Sequence, residues 1–240
     1  MARKKTLLSL LQDYRAEIRA SGNAAHNTNV RETQVRLLQR VQEYLYDEIA
    51  WPHLRIQRTF DVQAGQRYYA PPDEINLDRV ELLEVRYGQQ WFDLCPGIEA
   101  EHYNTWESDL DERSWPVQRW QIYEDEQIEI WPIPASDADT TTLDGRIRVT
   151  GIRKLSPLVQ DDDTADLDDR LIVLYAAAET LAASGASDAQ LKLSAAQQRK
   201  QTLTGNWSKK KTFRLFGGGD GEGWKPKGPP TVHYRDRQTS

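Results

Sequence analysis

The 240-residue sequence contains one cysteine, Cys95, and one methionine. A single cysteine excludes an intrachain disulfide and any metal site built from several thiolates. Histidine is also scarce. His26, His53, His102 and His233 fall at no metal-ligand spacing, and none sits beside a Ser or Cys in a nucleophile motif. No apolar run approaches the ~18 residues of a membrane-spanning helix. Hydrophobic residues make up only 38% of the chain and charged residues 28%. That composition gives a thin core, or one whose burial is completed against partners. The length suits one large domain or two small ones. The opening "MARKKTLLSLLQDY" is basic at its start. Its apolar stretch is interrupted by Ser9 and closed by Gln12 and Asp13, so it reads as an amphipathic helix rather than a signal peptide. No internal repeat is apparent.

Aromatics are plentiful, with eight Trp and ten Tyr, which argues against general disorder. Charge is unevenly spread. Residues 73–170 hold 25 Asp/Glu against 9 Lys/Arg, whereas residues 199–240 hold 10 Lys/Arg against 3 Asp/Glu. An acidic middle and a basic tail mark either a nucleic-acid-binding tail or a tail that docks on another copy.

Periodicity divides the chain. Leu7, Leu8, Leu10, Leu11, Tyr14 and Ile18 predict a first helix, ended by Gly22 and Asn23. Asn27, Thr28 and Asn29 offer caps for a second, carried by Val30, Leu37, Leu38, Val41, Tyr44, Leu45 and Ile49 and stopped at Pro52. From Leu54 the period becomes two. "LRIQRTFDV", "RVELLEVRYG", "QQWFDLCPG" and "RIRVTGIRKL" read as short strands of a small antiparallel sheet or barrel. Helix returns with Leu171, Ile172, Leu174, Tyr175, Ala178, Leu181 and Ala182. Gly185 breaks it, and Ser187 caps a last helix through Leu191, Leu193, Ala195, Ala196 and Leu203 to about Gly205. The predicted fold class is α+β. Residues 1–53 and 155–205 make a helical bundle, residues 54–154 an inserted antiparallel β domain, and residues 206–240 an extended arm.

The stretch "RWQIYEDEQIEIWPIP" sets Glu124, Asp125, Glu126 and Glu129 close together, a density that acid/base and metal chemistry both use. Parity points elsewhere. Bringing Trp120 and Ile122 opposite Ile130 and Ile128 requires a loop with an odd number of residues. A three-residue loop of Glu124, Asp125 and Glu126 pairs Tyr123 with Gln127, Ile122 with Ile128 and Trp120 with Ile130. The acids then form a solvated hairpin tip, available for subunit contact, with Asp125 or an acidic neighbour adopting the left-handed conformation. Pro132 and Pro134 close the second strand, which is expected at a sheet edge.

Two other motifs fail as chemistry. "DDDTADLDD" (residues 161–169) would need Gly at the sixth place of a calcium loop and Glu at the twelfth, and has Asp166 and Ile172. It reads as acidic residues favouring a helix N-terminus. "GGGDGEGWK" lacks the Lys-Ser/Thr ending of a phosphate loop and reads as a flexible linker. The tail is the better candidate. Trp207, Lys209, Lys210, Lys211, Phe213, Arg214, Phe216, Trp224 and Tyr234 mix cations with rings. They suit an arm that orders on a neighbouring protein, with "TFRLF" able to add a strand to a sheet edge. Phosphate gripping with base stacking, or simple disorder, are the alternatives. No catalytic residue, metal or cofactor is assigned, and an enzyme is the least favoured class.

The order of segments carries a resemblance. A helix pair closing in Trp51-Pro52 precedes "FDVQAGQRYYAPP", then "DRVELLEVRY", "WFDL", "QIYEDEQIEIWPIP", "IRVT" and "LSPLVQDDD", before a closing helix pair. This resembles the head-to-tail adaptor proteins of tailed bacteriophages, including the tail tubular A type of short-tailed phages, over roughly residues 5 to 205. The resemblance implies a non-enzymatic ring, commonly of twelve subunits, in the virion neck beneath the portal protein and above the tail or tail-nozzle protein. It implies assembly in the host cytoplasm, a channel passing genomic DNA without sequence-specific contact, arms reaching the portal or adjacent subunits, and no membrane. A tail-side neck or stopper protein is the alternative reading, and a nucleic-acid-binding protein acting through the basic tail a further one.

Overall fold

The computed structural model describes residues 3–19, 28–106 and 111–207. In chain order the elements are α1 (Leu7–Glu17), α2 (Thr28–Glu48), β1 (Arg55–Asp61), β2 (Tyr68–Tyr69), β3 (Ile75–Tyr87), β4 (Gln90–Asp93), β5 (Cys95–Pro96), α3 (Ala100–Thr105), β6 (Arg119–Tyr123), β7 (Gln127–Trp131), β8 (Arg146–Arg153), α4 (Asp169–Ala183) and α5 (Ala189–Trp207). The class is α+β. Among the described residues the chain divides into two compact units. One combines the residues up to Pro52 with those from Leu155, and the other spans His53–Lys154. The first helix ends at Glu17 with Ile18 as its C-cap, ahead of the Gly22 and Asn23 expected to end it; those two residues and the expected cap Asn27 lie outside the described residues.

In the helical unit, α1 begins where the Thr6 hydroxyl accepts from the Ser9 amide. Leu7, Leu10, Leu11 and Tyr14 form its buried stripe, while Leu8 is exposed because it falls one position off that stripe. Leu38, Val41 and Leu45 are buried on α2, and Ile49 just past its end is buried with them. Its chain leaves through Trp51, fully buried, whose indole N–H donates to the Leu45 carbonyl at 2.9 Å. Helix α4 packs against α1, α2 and α5, and its buried body is Leu171, Ile172, Val173, Leu174 and Ala176 to Ala178. Alanine permits this approach from several sides because it has little side chain to displace.

Helix α4 closes in a Schellman motif. Gly185, at φ +69°, donates to Ala182, and Ala186 donates to Leu181. The next helix starts at Ala189 rather than directly after Ser187, and Leu191, expected in its apolar set, is 68% exposed.

The other unit, expected as a small antiparallel sheet or barrel, holds two four-stranded sheets, ordered β1-β8-β3-β4 and β2-β7-β6-β5. The split comes at Leu94, inside a stretch that alternates like a single strand. Leu94 N–H donates to Leu83 in the first sheet, and Cys95 N–H donates to Gln118 in the second. All named pairings are antiparallel except β5 with β6. Helix α3 was not anticipated. Leu83, Val85, Ile128, Ile130, Ile147 and Val149 from the two sheets belong to one core cluster.

The β6–β7 hairpin pairs Tyr123 with Gln127, Ile122 with Ile128 and Trp120 with Ile130, the register that apolar parity requires. Its tip, Glu124–Glu126, turns without glycine because Asp125 and Glu126 take φ of 56° and 57°. The edge position expected for β7 is wrong. It lies between β2 and β6, and it tolerates Pro132 and Pro134 because the strand ends at Trp131, before either ring could remove a ladder N–H.

Gly145, ahead of β8, sits at φ +87°, and a Cβ there would lie 2.6 Å from the Trp115 ring and 3.0 Å from Val62. The left-handed backbone alone costs an L-residue about 1–3 kcal/mol. Gly145→Ala is therefore expected to lower unfolding free energy by at least that much in urea titration. An unchanged midpoint would show that this close approach is not structural.

Candidate interaction surfaces

The four clustered carboxylates meet different fates. Glu124, Asp125 and Glu126 are exposed at the hairpin tip. Glu129 is 0% exposed, because β7 is covered on both faces and Ile128, Glu129, Ile130 and Trp131 are all buried. A buried carboxylate needs partners. Arg67 Nε donates to its Oε1 at 2.7 Å, the Tyr103 hydroxyl to the same oxygen at 2.9 Å, and Gln121 Nε2 to Oε2 at 2.7 Å. The Arg67 guanidinium lies 4.8 Å from the Tyr103 ring centre and 5.1 Å from that of Trp131. Burial foremost, with the bond to Glu129, raises the Tyr103 phenol pKa and keeps it a donor. Every oxygen of Glu129 is thus occupied, and the box is structural rather than catalytic. Neither Arg67 nor Tyr103 was singled out in the sequence. The available signal was Glu129 itself, an acid inside an otherwise apolar strand.

The acidic run 161–169 is likewise spent on the fold. Asp168 caps α4 by accepting from Leu171 N–H, and also receives Arg199 Nη2 at 2.7 Å. Asp169 accepts from the Lys5 backbone N–H, Asp166 from Ser156, and Asp163 from Val159 and Gln160. Among the described residues no group of three His, Cys, Asp or Glu could hold a metal ion, and no helix is long and apolar enough to cross a membrane.

Of the basic and aromatic tail set, only Trp207 is described. It belongs to the end of α5 rather than to the arm, with its ring centre 5.1 Å from that of Trp51 and the Arg3 guanidinium 6.0 Å away. It was misplaced because Gly205 read as the helix end, yet packing on Trp51 carries the helix two residues further. Lys209, Lys210, Lys211, Phe213, Arg214, Phe216, Trp224 and Tyr234, with His26 and His233, lie outside the described residues.

One surface was not legible in the sequence. Helices α2, α4 and α5 flank an open groove of about 440 Å³, lined by Val41, Tyr44, Tyr175, Ala178, Ala182, Ala189 and Leu193, with Arg40, Glu179 and Gln190 as its polar groups. The Tyr44 and Tyr175 ring centres are 6.1 Å apart, and Tyr44 is 51% exposed. The groove adjoins a second stretch lined by Glu48, Gln197, Lys200 and Gln201. Arg40 pairs with Glu179, and Lys200 with Glu48. Periodicity marks Tyr44 and Leu193 as core positions, but it cannot show that the alanines opposite leave these side chains uncovered.

Among the described residues, then, the buried carboxylates are satisfied within the fold, while the acidic hairpin tip and the apolar groove are open at the surface. The chain belongs to the SU10 adaptor protein family, whose sequence model matches residues 5–212. It is accordingly a phage adaptor protein with a structural role. Comparison with curated proteins finds no match.

Two predictions concern the buried acids. Arg67→Ala strands the Glu129 charge and is expected to cost about 3–5 kcal/mol. Adding Glu129→Gln to that variant should recover part of the loss, since no charge is then stranded. A double variant as unstable as Arg67→Ala would contradict this. For Asp169, burial raises the carboxyl pKa in the folded state. Its contribution to stability is therefore complete below the unfolded value of about 3.9 and is lost as pH rises through the higher folded value. Asp169→Asn should gain stability relative to the native chain as pH rises from about 4 to 7. A pH-independent difference in chemical denaturation would count against the buried charge.

Proposed function

We propose that the chain is the subunit of a head-to-tail adaptor ring, commonly of twelve copies, that docks under the portal protein and joins the capsid to the tail. The observation that carries this reading is the adaptor family match, which runs through both compact units rather than a fragment of one. In this reading the helices from the two chain ends form one bundle with the β domain inserted between them, as in the tail tubular A type. The ring assembles in the host cytoplasm, takes its place in the virion neck and continues the DNA channel. The excess of acids over residues 73–170 supports a channel that passes DNA without gripping it, since like charge repels phosphate. The basic, aromatic arm after Trp207 reaches the portal, and the tip Glu124–Glu126 meets a neighbouring subunit or the tail or tail-nozzle protein.

A tail-side neck or stopper role is the second reading. It is favoured by the β6–β7 hairpin, where Ile122 and Tyr123 are both about 40% exposed beside the acidic tip. Docking separates the two. Purified chain is expected to bind the portal assembly, and removal of residues 208–240 should weaken that binding at least tenfold while circular dichroism stays native. Undiminished binding by the shortened chain would overturn the arm's role. Capture by tail protein alone would favour the stopper reading. Tail-dependent binding to DNA that falls steeply with salt would favour a nucleic-acid role instead.

A further inference from the structure

We infer that the groove flanked by α2, α4 and α5 is the seat of the chain's own residues 212–216, folded back from the end of α5. This goes beyond the ring reading and holds for a free subunit. The groove is apolar, pocket-sized and uncovered among the described residues, with Tyr44 half-exposed over it. The chain leaves α5 at the right place. Trp207 packs on Trp51, so α5 ends beside the end of α2, where Glu48 and Lys200 form the near stretch of the same surface.

The reach is sufficient. Lys200 lies seven helical residues back from Trp207, about 10 Å at ~1.5 Å per residue. An extended chain covers up to ~3.5 Å per residue, so Phe213 is within about 20 Å of Trp207, beyond Lys200 and level with Leu193.

The composition matches the surface. In an extended segment Phe213 and Leu215 face the same way, toward the groove, and Arg214 faces out. The last two turns of α2 present Glu43 and Asp47 to solvent beside Glu48. In this seating their charge would attract Lys209, Lys210, Lys211 and Arg214, since exposed charges act over ~8–10 Å at physiological salt. The glycines at 217–219, 221 and 223 separate this segment in sequence from Trp224 and the residues after it.

Disulfide trapping in the full chain tests this without a partner. In a Cys95→Ser background, Ala182→Cys on the groove is combined with a cysteine scan of residues 212–216. Leu8→Cys, exposed on α1 away from the groove, is the control. At least one tail position is expected to form an intrachain disulfide with Ala182→Cys ten times faster than any does with Leu8→Cys. The product should run as a monomer on a non-reducing gel. Glu43→Lys with Asp47→Lys should slow the reaction several-fold. Equal rates at Ala182→Cys and Leu8→Cys would overturn the proposal. So would an interchain product alone, which would assign the groove to a second copy. Because the portal is absent from the assay, neither outcome bears on portal docking.

Discussion

The helical unit depends on how the first turn of α4 is held. Asp168 is fully buried at its N-cap, where an unpaired charge would be costly, and it is satisfied by Leu171 N–H and by the Arg199 guanidinium from α5. The neighbouring acids extend the clamp. Asp169 receives the Lys5 amide, the Asp163 carbonyl receives Leu7, and the Lys5 carbonyl receives Ala165. One acidic run thereby ties the start of the chain, α4 and α5 into a single unit. With α4 fixed, its alanines determine what is left open. Ala178 and Ala182 do not fill the space before Tyr44 and Leu193, and the apolar groove is the result.

The β unit meets the same requirement with other residues. Glu129 lies in a strand buried on both faces and is held by Arg67, Tyr103 and Gln121. Glu84 accepts from Nε and Nη2 of Arg148, whose guanidinium stacks 4.1 Å from the Trp91 ring centre. Arginine serves in each case because its planar fork satisfies a carboxylate while its face covers an aromatic ring. Acids that are not buried remain at the surface, the hairpin tip among them. Much of the negative charge in the middle of the chain, that of the hairpin tip included, thus remains at the surface.

Local physics made much of this readable in advance. Parity of Trp120, Ile122, Ile128 and Ile130 gives the hairpin register, because pairing by one more residue would turn isoleucine onto a glutamate. Gly185 marks a helix end through backbone geometry alone, whereas α2 stops at Glu48, ahead of the Pro52 expected to stop it. What was not readable depends on contacts distant in sequence. The switch of sheets at Leu94 is decided by where Gln118 lies, and the interior place of β7 by its pairing with Tyr68 and Tyr69. Trp207 continues α5 because Trp51, far off in the chain, receives it. Spacing and parity set the acid clusters aside as chemistry, but a list of residues cannot show the partners that Glu129 and Asp168 find. The groove stayed hidden for the converse reason, since nothing in the sequence marks a core position left uncovered.

Among the described residues the acidic tip is exposed and the groove is open, and the proposed ring would draw on such surfaces for its contacts. Their use in a ring is most directly tested by imaging the neck of the intact virion by cryo-electron microscopy. The account predicts a closed ring of copies of this chain between portal and tail, continuous with the DNA channel. A neck without this chain, or copies scattered singly along the tail with no closed ring, would contradict it.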